Sequence, residues 1–147
     1  MQPLPHLYIV SARGETAGAL QVAADGVPEI ESAAPAEFGG PGDRWSPESL
    51  LCAAVASCFI LTFRAVARAS KLEWRHLSCT VEGVLERTQG VTRFTRIVTK
   101  AVLTAEPGTT EDACRRALDK AEEACLIANS LLSTRELQAE VRVAEVA

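Results

Sequence analysis

Five cysteines, Cys52, Cys58, Cys79, Cys114 and Cys125, are the residues of this 147-residue chain whose type can do chemistry unaided. A thiolate is at once nucleophile, metal ligand and reductant, and its surroundings decide which of these it becomes. None of the five forms a C-x-x-C pair, and the two histidines, His6 and His76, lie far apart in sequence, so a zinc site has weak support. Five is an odd number, and the opening Met-Gln-Pro-Leu-Pro-His-Leu-Tyr-Ile-Val has no basic n-region and too short an apolar run for a secretory signal. A structural disulfide framework is therefore not expected. The chain reads as cytoplasmic, with reduced thiols that are either core filler or chemistry.

The formal charge of −4 and pI near 5.2 leave no basic surplus for neutralising phosphates, so nucleic acid is not an expected partner. The length suits one domain, 1–147, large enough to bury a core.

The elements that must position the thiols follow from the hydrophobic pattern. Leu50 to Ala67 reads as a long central helix; from Leu50 to Phe63 it carries no charge, Gly or Pro, so it has no polar face to turn to water. It is expected to be buried on all sides. The uncharged run of 14 residues falls short of the ~20 that span a bilayer, and no membrane association is expected.

Before this helix, Leu7–Ala12 and Ala17–Ala24 read as strands joined by Arg13-Gly14-Glu15, and Asp25-Gly26 as a type I′ turn leading to Val27–Ser32, an N-terminal antiparallel meander. Ala33–Trp45 is a loop, and Ser46-Pro47-Glu48 is a helix start with a hydroxyl cap, a proline and a first-turn carboxylate. After it, Leu77–Glu86 and Thr92–Thr104 form a hairpin about Thr88-Gln89-Gly90. Thr109 or Thr110 caps a second helix whose apolar stripe runs through Cys114, Leu118, Ala121 and Cys125 to Ala128, and Leu137–Val143 is a final strand. The sum is an α+β domain with a sheet of about six strands.

Free cysteine usually behaves as a small hydrophobe, and Cys79 and Cys114 keep that reading. Cys52 lies six positions before Cys58, about 240° round the helix, so those two cannot bridge. Cys58 and Cys125 each sit on their own helix, and helix against helix is a geometry in which two thiols can meet.

At this point the sequence resembles the OsmC/Ohr family of hydroperoxide reductases. The resemblance rests on Ser46-Pro47-Glu48-Ser49-Leu50-Leu51 running into Ala53-Ala54-Val55-Ala56-Ser57-Cys58-Phe59, and on Ala124-Cys125-Leu126-Ile127-Ala128-Asn129-Ser130-Leu131. It includes the Glu48-to-Cys58 separation of ten and the Cys58-to-Cys125 separation of 67. Ser46 stands where the family more usually has Asn, and Leu126-Ile127 replaces the Cys-Pro form of the alkyl hydroperoxide specialists.

The resemblance implies an OsmC-like fold in an intertwined homodimer whose central helices pack together, and a peroxidase in which Cys58 attacks the hydroperoxide and Cys125 closes a disulfide with the resulting sulfenic acid. An external dithiol, in this family often a protein-bound lipoyl group, then restores both thiols, and no metal, flavin or haem is required. It further implies an arginine held by a glutamate beside the nucleophile. By position the glutamate is Glu48 and the arginine Arg13, with Arg44 as rival. Ten helical residues span ~15 Å, so a break near Leu50–Ala53 or a loop-borne Glu48 is expected to close that distance. Apolar neighbours such as Phe59, Phe63, Leu126 and Ile127 would favour organic hydroperoxides. Two other readings use the same residues: a redox sensor or small-molecule-binding module switched by Cys58 and Cys125, and, with less support, a cysteine hydrolase with His76 as base.

Overall fold

Short apolar runs broken by Gly and Pro build the first part of the chain. In a computed structural model that describes residues 1–146, the chain divides into two compact units, Met1–Leu51 and a second from Cys52 onward. The first unit holds β1 (Ser11–Arg13), β2 (Leu20–Ala23) and β3 (Ile30–Ser32), paired antiparallel in the order β1-β2-β3. This is the expected meander with shorter strands. Leu7, Tyr8, Ile9 and Val10 lie before β1 and are exposed, because β2 is four residues long and its ladder with β1 begins at Ser11 opposite Ala23. Pro28 has no N–H to give a ladder, so β3 starts only at Ile30. Gly26 has positive φ but Asp25 does not, so the β2–β3 link is a longer loop and not the expected type I′ turn.

The Ala33–Trp45 loop contains one 3-10 turn, Ala36–Phe38, and leads to α1 (Pro47–Ser70). Ser46 caps it: its hydroxyl accepts from the Ser49 N–H at 3.1 Å, and the Ser49 hydroxyl accepts from the Ser46 N–H at 2.9 Å, a reciprocal box with serine in place of the usual Glu or Gln. No Gly or Pro follows Pro47 within α1, and the helix is continuous over its 24 residues. The expected break near Leu50–Ala53 is therefore not formed, and Glu48 lies in the first helical turn.

The second unit is a three-stranded sheet, β4 (Trp74–Thr88), β5 (Val91–Ala105) and β6 (Thr134–Val143), in the order β4-β5-β6. The sheets are thus two of three strands, one per unit, in place of a single sheet of about six. Gln89 and Gly90 both have positive φ (50° and 78°), which makes the β4–β5 link the two-residue turn whose twist suits a hairpin. β6 pairs parallel to β5, and the crossover between them carries α2 (Glu111–Ala124) and the single-turn α3 (Leu126–Asn129). Thr110 caps α2 by accepting from the Ala113 N–H at 3.2 Å.

Val55, Phe59, Phe63 and Ala67, four apart along α1, are its buried stripe. Phe59, Phe63 and Ala67 pack with Leu77, Ala101, Leu103 and the α2 residues Cys114, Ala117, Leu118 and Ala121. Phe63 meets Trp74 edge to face, ring centres 5.1 Å apart. Burying a phenylalanine contributes ~1.5–3 kcal/mol, so this stripe anchors α1.

The rest of α1 corrects the expectation of a fully buried helix. Leu61 is 58% exposed, and Ile60 and Val66 are only partly covered. The most apolar 18-residue window of α1 has mean hydropathy 2.1 yet is only 22% buried, and by length and composition alone α1 could cross a membrane.

Candidate redox site

Cys58 follows Val55 by three positions on α1, which turns it to the edge of the buried stripe, half-buried and not enclosed. Thr62, four residues on, shares that face, and its hydroxyl lies 3.7 Å from Cys58 Sγ. Cys125 reaches the same place from the crossover. The helical spacing that placed it on the stripe of one long second helix does not hold at this residue: Cys125 has φ −63° and ψ 102°, an extended conformation separating α2 from α3. The break turns its side chain into a small apolar cluster with Val55, Ile97 and Ala128, against which Cys58, Val81, Phe94, Ile127 and Leu131 pack. Its Sγ lies 4.0 Å from the Val55 carbonyl oxygen on α1, and the residue is fully buried.

The electrostatics separate the five thiols, all of them free. Burial opposes ionisation of Cys58. Hydrogen bonds from the Ile127 N–H, the Cys125 thiol, the Thr62 hydroxyl and the Leu126 N–H outweigh it, and the Cys58 pKa falls below the ordinary thiol value. Cys125 moves the other way: burial comes first, followed by the hydrogen bond and the charge from Cys58 and by the charge of Glu122, against one backbone hydrogen bond from Ala128. Burial, with the charges of Glu122 and Cys125, pushes Cys79 up to about 11. Burial also raises Cys114, helped by Glu111, and Cys52, where the Gly83 backbone partly offsets it. Cys52 packs so closely on β4 that a Cβ at Gly83 would lie 2.8 Å from its sulfur.

A clamp of polar groups surrounds the break. Arg135 of β6 donates from Nε to Glu122 Oε1 at 2.9 Å, from one terminal nitrogen to Asn129 Oδ1 at 2.5 Å, and from the other to the Glu122 backbone carbonyl. Asn129 donates in turn to the Glu123 carbonyl at 3.1 Å.

Of the residues expected from sequence, the structure brings Cys58 and Cys125 together. Arg13 is paired with Glu29 at 2.6 Å and Arg44 with Glu31 and Asp43, so among the described residues neither arginine is ion-paired to Glu48. Phe59 and Phe63 are fully buried in the main core and have no surface to offer a substrate, while Leu126 is exposed and Ile127 packs at the thiols. Sequence reasoning missed Thr62, whose i,i+4 spacing from Cys58 was a usable signal, and the Leu126 and Ile127 backbone donors, which had none.

Residues 40–140 match the model of the OsmC-like protein family, and the chain belongs to that family. Among its relatives is the uncharacterized protein YmaD of Bacillus subtilis (strain 168), 30% identical over 112 residues that cover 74% of this chain and 75% of YmaD. Among solved structures, an organic hydroperoxide resistance protein OsmC from Legionella pneumophila superposes with TM-score 0.75 at 27% identity, covering 96% of this chain and all of that one. An organic hydroperoxide resistance protein from Elizabethkingia anophelis shares the fold, with TM-score 0.77 at 23% identity and coverage of 98% and 100%.

Proposed function

We propose that this OsmC-like protein is a cytoplasmic thiol peroxidase that reduces organic hydroperoxides and works as a homodimer. The observation that carries the reading is the Cys58–Cys125 pair: a half-buried thiol on α1 packs against the cluster of a fully buried one at the α2–α3 break, and only the half-buried one is held below the ordinary thiol pKa. The Cys58 thiolate attacks the distal oxygen of ROOH, the O–O bond breaks, and ROH leaves with a proton, leaving Cys58 as a sulfenic acid. The Cys125 sulfur then attacks the Cys58 sulfur, an S–S bond forms and water leaves. An external dithiol, such as a protein-bound lipoyl group, reduces the disulfide and is itself oxidised. Val81, Phe94, Ile127 and Leu131 around the thiols favour an alkyl peroxide, since each CH₂ buried gains ~0.8 kcal/mol. Activation of Cys58 is assigned to Arg13 held by Glu48, with Arg44 as the alternative cation, and requires the arginine used to leave its present carboxylate pairing. The apolar surface that α1 leaves open, centred on Leu61, supports a dimer.

The test is turnover of tert-butyl hydroperoxide by purified protein with dihydrolipoamide. Cys58→Ser is expected to abolish it, while Cys52→Ser, Cys79→Ser and Cys114→Ser leave it largely intact. A wild-type protein that forms the Cys58–Cys125 disulfide once but does not turn over would be a redox sensor instead.

A further inference from the structure

At the end of α2 the Glu122 carbonyl accepts a long local bond, 3.4 Å, from the Cys125 N–H, and the last turn contains no basic residue to meet the terminal carbonyls. Further donors come from outside: Arg135 of β6 takes the Glu122 carbonyl and carboxylate together, Asn129 takes the Glu123 carbonyl, and Arg135 holds Asn129. Each of these bonds crosses or flanks Cys125. Arg135 and Glu122 are well covered, with side chains 24% and 15% exposed, unlike the exposed ion pairs elsewhere on the chain. A guanidinium can hold three acceptors in one plane, which an ammonium cannot match.

We propose that Arg135 is a positioning residue for the second thiol: by tying the end of α2 to β6 and α3, it fixes the break that aims Cys125 at Cys58. The proposal rests on the reading of Cys58 and Cys125 as a redox pair. Without the clamp, α2 can fray or continue through Cys125, and either change moves its sulfur off Cys58. None of the clamp bonds reaches Cys58 itself. With wild type and Arg135→Ala both held at a pH where Cys58 is fully thiolate, the Leu126 and Ile127 donors no longer decide the first step, whereas condensation with Cys125 still requires its sulfur in line.

The experiment separates the two steps. Reduced Arg135→Ala protein is given a stoichiometric amount of tert-butyl hydroperoxide, and the Cys58 sulfenic acid is followed by dimedone trapping beside the wild type and Cys125→Ser. Oxidation of Cys58 is expected to stay within about twofold of wild type while disulfide closure slows by about tenfold or more, as misplacement of a reacting group by a fraction of an ångström commonly does. The dimedone adduct then approaches the yield of Cys125→Ser, and Arg135→Lys recovers part of the closing rate. A stability role alone would lower the melting temperature and leave closure at the wild-type rate, and that result overturns the proposal. If Arg135→Ala does not fold, Asn129→Ala, which removes one strut, is expected to show the same partition in weaker form; wild-type closure in that variant would also overturn it. Should the wild type form no sulfenic acid, the peroxidase reading fails on its own. Diamide, which closes dithiols without peroxide, then asks the positional question separately, and equal closing rates in wild type and Arg135→Ala would sink it.

Discussion

Cys58 on α1 packs against the apolar cluster that holds Cys125, at the break between α2 and α3, although the two stand 67 residues apart. Burial opposes ionisation of both; the Ile127 backbone and the neighbouring Cys125 thiol then favour the thiolate at Cys58, while the proximity of Cys58 opposes it at Cys125. The half-buried member of the pair is the one held low and the fully buried member is not, which is the arrangement a peroxide-attacking thiol followed by a resolving thiol requires.

Alkylation should read this division directly. A lowered pKa means thiolate at lower pH, so Cys58 is expected to react with iodoacetamide at a lower pH than any other cysteine, with Cys79 last among those accessible to the reagent. Cys125→Ser replaces a thiol donor that Cys58 uses; Thr62→Val removes another, and should shift the Cys58 profile upward. Mass spectrometry of the alkylated peptides across pH checks it, and an unchanged Cys58 profile in Thr62→Val would remove the hydroxyl from the account.

The arginine can be identified in the same assay. Arg44 is held by two carboxylates, Glu31 and Asp43, whereas Arg13 has one partner, Glu29, in an exposed pair of the kind worth only ~0–1 kcal/mol. Arg13 is therefore the guanidinium whose present partner is the more easily given up. Arg13→Ala is expected to raise the pH of Cys58 alkylation and to slow the first oxidation step more than regeneration, each pKa unit being worth ~1.4 kcal/mol, and Arg44→Ala to do neither. If the two exchange roles, the site keeps its chemistry with the other cation. If neither moves the profile, no side-chain cation activates Cys58.

Sedimentation at micromolar concentration should give twice the chain mass of 15.7 kDa. Leu61, 58% exposed in the middle of α1, is the side chain to challenge. Leu61→Asp is expected to weaken the dimer without unfolding the chain, because its neighbours on the buried stripe, Val55, Phe59 and Phe63, are untouched. A wild-type monomer at that concentration would count against the dimeric architecture.

Thr99 offers a test of the core. It is buried on β5 between Val81 and Leu137, and its hydroxyl has no hydrogen-bond partner among the described residues. Thr99→Val keeps the shape and removes an unpaired polar atom, so unfolding in guanidinium is expected to show no loss, or a gain of up to about 1–2 kcal/mol. Phe63→Ala in the same assay should cost about 3–5 kcal/mol. A clear destabilisation by Thr99→Val would mean that the hydroxyl is bonded in solution.

Several elements were legible in the sequence because their causes are local. Ser46-Pro47 starts α1 and Thr110 starts α2 through side chains bonding N–H groups three residues on, and Gln89-Gly90 turns the hairpin through positive φ at adjacent residues. The period of the apolar residues marked the helices and the long strands, and residue type with spacing singled out Cys58 and Cys125. What the tertiary structure alone decided depends on residues that meet from distant parts of the chain. Nothing near Leu137 announces that β6 lies parallel to β5, since a strand's own pattern does not name its neighbour. The helical period ran on through Cys125, yet the chain breaks there, where Arg135 and Asn129 bind the terminal carbonyls of α2. An uncharged run said that α1 avoids water but not by what it is covered, and within this chain only one stripe is. Which thiol is held lower depends in the same way on the Leu126 and Ile127 backbone and the Cys125 sulfur brought to Cys58 by the fold, because a pKa reports the groups around a site and not its place in the sequence.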